Sequence, residues 1–268
     1  MKKSRLPQIL PAVITLLGAL IGFLVRRVQL AVELLPDGSL APGSFLHIVL
    51  TVLTLLLIAA LIALLLPLKR SPQLSPYFTE AVLPNALQLV AAVGLICGNL
   101  LLWIQGREPT TALATQSPAV SEALSAILAP LGLLSAICIG AFAVLRLRGR
   151  KPSALLYMIG SIYLVVRLIV NFQEWNTDPS VHDYCFQLLA AICCMLSFFQ
   201  LAGFCFDRGK RRMSLFWCLN AVVFCGITVA DTFVHGAADE ILVNGSLLLS
   251  LAVSSMQLLF PCGEEVVK

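Results

Sequence analysis

The sequence predicts an all-α integral membrane protein of about eight transmembrane helices. Composition, the length of the apolar runs and the placement of Lys and Arg predict it. Hydrophobic residues make up 59% of the 268 and charged residues only 12%, with a mean hydropathy of +0.94. A soluble core has no use for that much apolar surface, so the excess belongs against lipid. A helical span needs about 20 mostly apolar residues to cross ~30 Å of hydrocarbon. Backbone groups in lipid must bond within their own segment, so such spans are helices.

Taken in order, the spans are expected at 12–34, 45–68, 82–104, 123–145, 153–174, 183–206, 213–232 and 241–260. The first follows Met1, Lys2, Lys3, Ser4 and Arg5. It is too long for a signal-peptide core and has no small-residue cleavage site after it, so it reads as a retained span. The longest connection, 105–122, is rich in Thr, Ala, Ser and Pro and reads as an irregular outer loop. No connection is long enough to fold alone, so a soluble catalytic or nucleotide-binding domain is not expected.

Orientation follows from the short loops. With a cytoplasmic N-terminus, 14 of the 18 Lys and Arg fall inside, leaving Arg26, Arg27, Arg107 and Arg167. Both termini are therefore expected in the cytoplasm, and the cytoplasmic membrane of a bacterium is the expected location. The net charge of +4 is small and scattered, so no nucleic-acid partner is indicated. The nine cysteines form no CxxC pair and most lie in apolar runs, where free Cys behaves as a small hydrophobe.

The chain also aligns with itself. A shift of 141 residues superposes Arg5 on Arg146, Pro11 on Pro152, Arg26 on Arg167, Glu33 on Glu174, Asp37 on Asp178 and Lys69 on Lys210. Shared topology alone would not place an Arg inside a span at the same offset twice. The expectation is a tandem 4+4 repeat of parallel orientation, with units at 1–145 and 146–268 forming one membrane domain. Parallel repeats occur among transporters, an analogy of fold rather than function.

Charge inside the membrane is the main pointer to a site. Pro11 and Pro152 are expected in the first turns of their helices, putting Arg26 and Arg167 ~22 Å further along, in the outer leaflet. Glu33 and Glu174 follow two turns later on the same face. Three readings stay open. Each Arg snorkels outward toward its own Glu; the two arginines share a central cavity and hold an anionic group; or they form interhelical ion pairs, for example with Asp231. Asp231, His235, His182, Asp183, Asp239 and Glu240 add an acidic outer rim without distinctive metal-ligand spacing. Asn99, Asn171, Gln187, Thr228 and Asn244 supply polarity at similar depth.

The candidate ligand-binding residues are thus Arg26, Arg167, Glu33, Glu174, Asp231 and His235. No catalytic residue, metal site or cofactor is assigned, since no P-loop, GxSxG, dinucleotide-binding or metalloprotease pattern occurs. The favoured function is a small-molecule transporter or ligand-binding membrane component for an anionic solute. The alternatives are a membrane enzyme acting on lipid-linked substrates, through Glu174, Asp231 and His235, and an accessory subunit joined to other membrane proteins. No motif identifies a family.

Overall fold

The computed structural model describes residues 6–33, 44–68, 81–105, 118–175, 181–235 and 238–260. They form α1 (Leu6–Glu33), α2 (Phe45–Leu65), α3 (Val82–Gln105), α4 (Pro118–Leu147), α5 (Leu155–Trp175), α6 (Val181–Cys205), α7 (Arg211–His235) and α8 (Ala238–Leu259). All eight are long and apolar enough to cross a membrane. Among the described residues there is no strand. Each helix covers an expected run, and most of the outer loop expected at 105–122 lies outside the described residues.

The two prolines depart from expectation. Pro7 occupies the first turn of α1, and Pro11 sits inside the helix. Thr15 Oγ1 donates to the Pro11 carbonyl at 2.8 Å. Pro152 precedes α5, which begins at Leu155. Before a helix the missing N–H of Pro152 costs nothing, whereas inside α1 Pro11 leaves the Pro7 carbonyl without its i→i−4 donor, so the two places are not equivalent.

Helices α3 to α8 close a ring, each packing on the next and α8 returning to α3. Helices α1 and α2 pack on each other and lean on this ring mainly through α7. Helix α7 is therefore the structural centre: 78% of its span is buried, against at most 50% of any other. The neighbours are not symmetric between the halves. Helix α7 packs on α1, α6 and α8, whereas α3, its counterpart four helices earlier, packs on α4 and α8.

Small residues set the closest seams. On α3, a Cβ added at Gly98 would lie 2.7 Å from Val243 Cγ2 and 3.0 Å from the Asp239 carbonyl oxygen, so α8 can approach only a glycine there. Gly22 of α1 meets Ile227 of α7 in the same way. Both belong to GxxxG pairs, whose spacing clears one helix face for a neighbouring helix.

At the opposite end from the acidic rim, arginines close the helix ends. Arg211 donates to the carbonyls of Leu258 and Leu259 at 2.9 and 3.2 Å. Arg212 donates to the Leu68 carbonyl at 2.6 Å. Carbonyls at a helix C-terminus lack intrahelical partners and carry partial negative charge, so a guanidinium satisfies both needs.

Candidate functional site

The half of the bundle away from the Arg211 and Arg212 contacts holds two polar constellations, one on each flank of α6 and α7. The first is built on Arg26. Its guanidinium Nε donates to Asp231 Oδ1 of α7 at 2.6 Å, and both side chains are almost wholly buried. Arg26 Nη1 donates to Gln29 Oε1 at 3.0 Å, and Gln29 Nε2 donates to Ser44 Oγ at 3.1 Å. The ring of Phe186, on α6, lies 5.7 Å from the guanidinium carbon, within cation–π range.

Glu33 completes this network at the start of α2. The Ser44 hydroxyl donates to Glu33 Oε2, and the Leu46 amide approaches Oε1 at 3.4 Å. Ser44 is the N-cap and accepts from the His47 amide at 3.1 Å. A carboxylate beside the first amides of a helix offsets the positive end of its dipole. Glu33 is thus bound to the α2 cap, and Arg26 reaches Asp231 and Gln29 instead of snorkelling toward Glu33. Of the three readings open for Arg26, the interhelical ion pair is the one observed.

The second constellation surrounds Arg167 inside the ring. Two adjoining cavities share Arg167, Asn171 and Glu240 in their walls. Between them they are lined from all six ring helices, with Leu102 of α3 and Leu128 of α4 on one side and Cys225 and Thr228 of α7 on the other. Helices α5 and α8 do not pack on each other, which leaves the space. Each cavity measures about 20 Å³, on a scale where one water needs about 10–15 Å³.

Arg167 is half-buried, and among the described residues it makes no hydrogen bond or ion pair. Glu240, Asn171, Gln187, Asn244 and Thr228 face the same space. On one edge Tyr163 donates its hydroxyl to Asn99 Oδ1 at 3.2 Å. Gly132 makes room for Asn99: a Cβ there would stand 1.9 Å from Asn99 Oδ1.

Arg26 and Arg167 therefore do not share a cavity. Neighbouring positions of α6 serve different sites, Phe186 beside Arg26 and Gln187 beside Arg167. On α7, Asp231 faces Arg26 and Thr228 faces the cavity. The physical reason is the central placement of α7 and its partner α6, which stand between α1 and α5.

Of the six candidate residues, Arg26, Glu33 and Asp231 belong to the first network and Arg167 to the second. Glu174 and His235 end α5 and α7, and their side chains lie outside the described residues. The side chains of two members of the expected Glu174, Asp231 and His235 cluster therefore lie outside the described residues, and the third, Asp231, is engaged by Arg26. Among the described residues no group of three or more His, Cys, Asp or Glu could hold a metal ion. Sequence reasoning missed Gln29, Ser44 and Tyr163. It noted Asn171, Gln187, Thr228 and Asn244 singly; their common depth was the signal that they form one wall.

Comparison with family models, with curated proteins and with solved structures gives no match.

Proposed function

We propose that this multi-pass membrane protein binds, and moves across the bilayer, a small polar solute carrying an anionic group, with Arg167 as its anchor. One observation carries this reading: a guanidinium without an ion-pair partner among the described residues lines a cavity inside a closed ring of helices. A planar fork of five donors fits a carboxylate or phosphate, and an unpaired charge at membrane depth is costly unless a ligand or water meets it. Four amide or hydroxyl side chains, Asn171, Gln187, Asn244 and Thr228, add uncharged donors and acceptors. Glu240 opposes Arg167 in charge, so the same space suits a solute that pairs its anionic group with an ammonium or hydroxyl donor.

In this reading the cavity is a closed, water-filled state. A solute larger than a water or two enters when α8 parts from α6 and α5, the sides where its packing is slight or absent. The units 1–145 and 146–268 are then tandem copies whose arginines have taken different tasks. The strong inward bias of Lys and Arg supports cytoplasmic termini and a cytoplasmic-membrane location.

The test is binding and proteoliposome uptake with chloride, phosphate, acetate and glycine, comparing wild type, Arg167→Ala and Arg167→Lys. The expected result is saturable binding of at least one of them, lost in Arg167→Ala and weakened in Arg167→Lys. Uptake or binding that is identical in all three proteins would remove Arg167 from the reading.

A further inference from the structure

The same cavity holds a second reactive feature. The sulfurs of Cys194, on α6, and Cys225, on α7, lie 3.3 Å apart. Both residues are buried free thiols, and both line the Arg167 cavity. A disulfide needs about 2.05 Å between sulfurs, so a closing movement of roughly 1.3 Å forms the bond. We propose that Cys194 and Cys225 are a dithiol oxidised by hydrogen peroxide, whose disulfide staples α6 to α7 in the wall of the Arg167 cavity.

The chemistry needs a small oxidant and a way to part with two protons. One thiol gives its proton to cavity water, and its thiolate attacks one oxygen of the peroxide. The O–O bond breaks, hydroxide leaves and takes up a proton as water, and the sulfur is left as a sulfenic acid. The second sulfur then attacks the first, the S–O bond breaks, and hydroxide leaves with the second thiol's proton. Two thiols and one peroxide become one disulfide and two waters; the sulfurs are oxidised and the peroxide oxygens reduced. The guanidinium of Arg167 lines the same space and carries the positive charge that meets the departing hydroxide.

Size sets the selectivity. A cavity of about 20 Å³ takes one or two water molecules. Hydrogen peroxide is close to that size, whereas maleimides and diamide are much larger. Cys193 is buried next to Cys194 in sequence but does not line the cavity, so it is not the expected partner.

The experiment uses the full chain in lipid nanodiscs. The protein is treated with graded hydrogen peroxide, unfolded in SDS with N-ethylmaleimide, digested and analysed by mass spectrometry. The expected product joins the peptides containing Cys194 and Cys225, while Cys138, Cys205 and Cys218 are recovered as maleimide adducts. Maleimide applied to the folded protein beforehand leaves the link intact. Cys193→Ser keeps the link and Cys225→Ser abolishes it. A pair that stays reduced at peroxide doses oxidising the SDS-unfolded chain would overturn the proposal, as would a link through Cys193. The readout needs no bound solute, so it fails or succeeds independently of the anion reading.

Discussion

Arg26 and Arg167 occupy the same offset in the two halves of the sequence, yet their surroundings differ in kind. Arg26 is sealed between α1 and α7 with a carboxylate, an amide and an aromatic face around it. Arg167 opens on space shared with Glu240 and a wall of amides. The difference teaches that a repeated charge does not imply a repeated task. What separates them is the partner on α7. Arg26 has an acid on α7 to close on, whereas the α7 residues beside Arg167, Cys225 and Thr228, carry no charge.

The largest expected effect breaks the sealed site. Asp231→Ala leaves a buried guanidinium without its charged partner and should lower stability by about 3–5 kcal/mol. Denaturation in mixed detergent micelles measures this. Combining Arg26→Met with Asp231→Leu removes both charges and should restore most of the loss. If the double variant is as unstable as the single one, the pair does more than neutralise itself.

The open site should behave in the opposite way. Arg167→Ala removes a charge that makes no ion pair or hydrogen bond among the described residues, so its stability should stay within about 1 kcal/mol of wild type or rise slightly. Its anion binding should fall by at least the tenfold that about 1.4 kcal/mol represents. A loss of stability matching that of Asp231→Ala would erase the contrast between the two arginines.

Smaller effects sharpen the frame around them. Gly98→Ala forces its methyl against Val243 and the Asp239 backbone and should cost about 1–3 kcal/mol through strain at the α3–α8 seam. Thermal unfolding in detergent reads it. Gly94→Ala should cost less, because the nearest atom is the Ser246 hydroxyl, which can rotate away. The smallest effect is expected from Glu33→Gln. It keeps a hydrogen-bonding side chain at the α2 cap but loses the charge that offsets the helix dipole, about 0.3–1 kcal/mol. A loss several times larger would show that Glu33 also supports Arg26 across Ser44 and Gln29.

Much of the fold was legible because lipid simplifies the code. A run such as 45–68 has no soluble alternative, and its helix, Phe45–Leu65, follows from length and apolarity alone. GxxxG spacing at Gly18 and Gly22 and at Gly94 and Gly98 is equally readable in the sequence, since a face without side chains is useful mainly to an approaching helix. The site was legible only as a depth. Asn171, Gln187, Thr228 and Asn244 fall at one level by counting residues, but which of them face each other depends on helix rotation and neighbour order. Pro11 shows the limit at a helix start: Pro7 already serves the first turn, and nothing local forbids the helix from beginning there.

By itself, then, the sequence determined the spans, their number and the level of the intramembrane charges, because each of these is a local balance between side-chain hydration and hydrocarbon. Tertiary structure alone decided that α7 stands at the centre, that Asp231 closes on Arg26, and that Arg167 is left facing a cavity. Those outcomes depend on which helix packs beside which. Lipid solvates every apolar face alike, so hydrophobicity cannot encode that order, and it falls to small residues, helix ends and a few buried polar pairs.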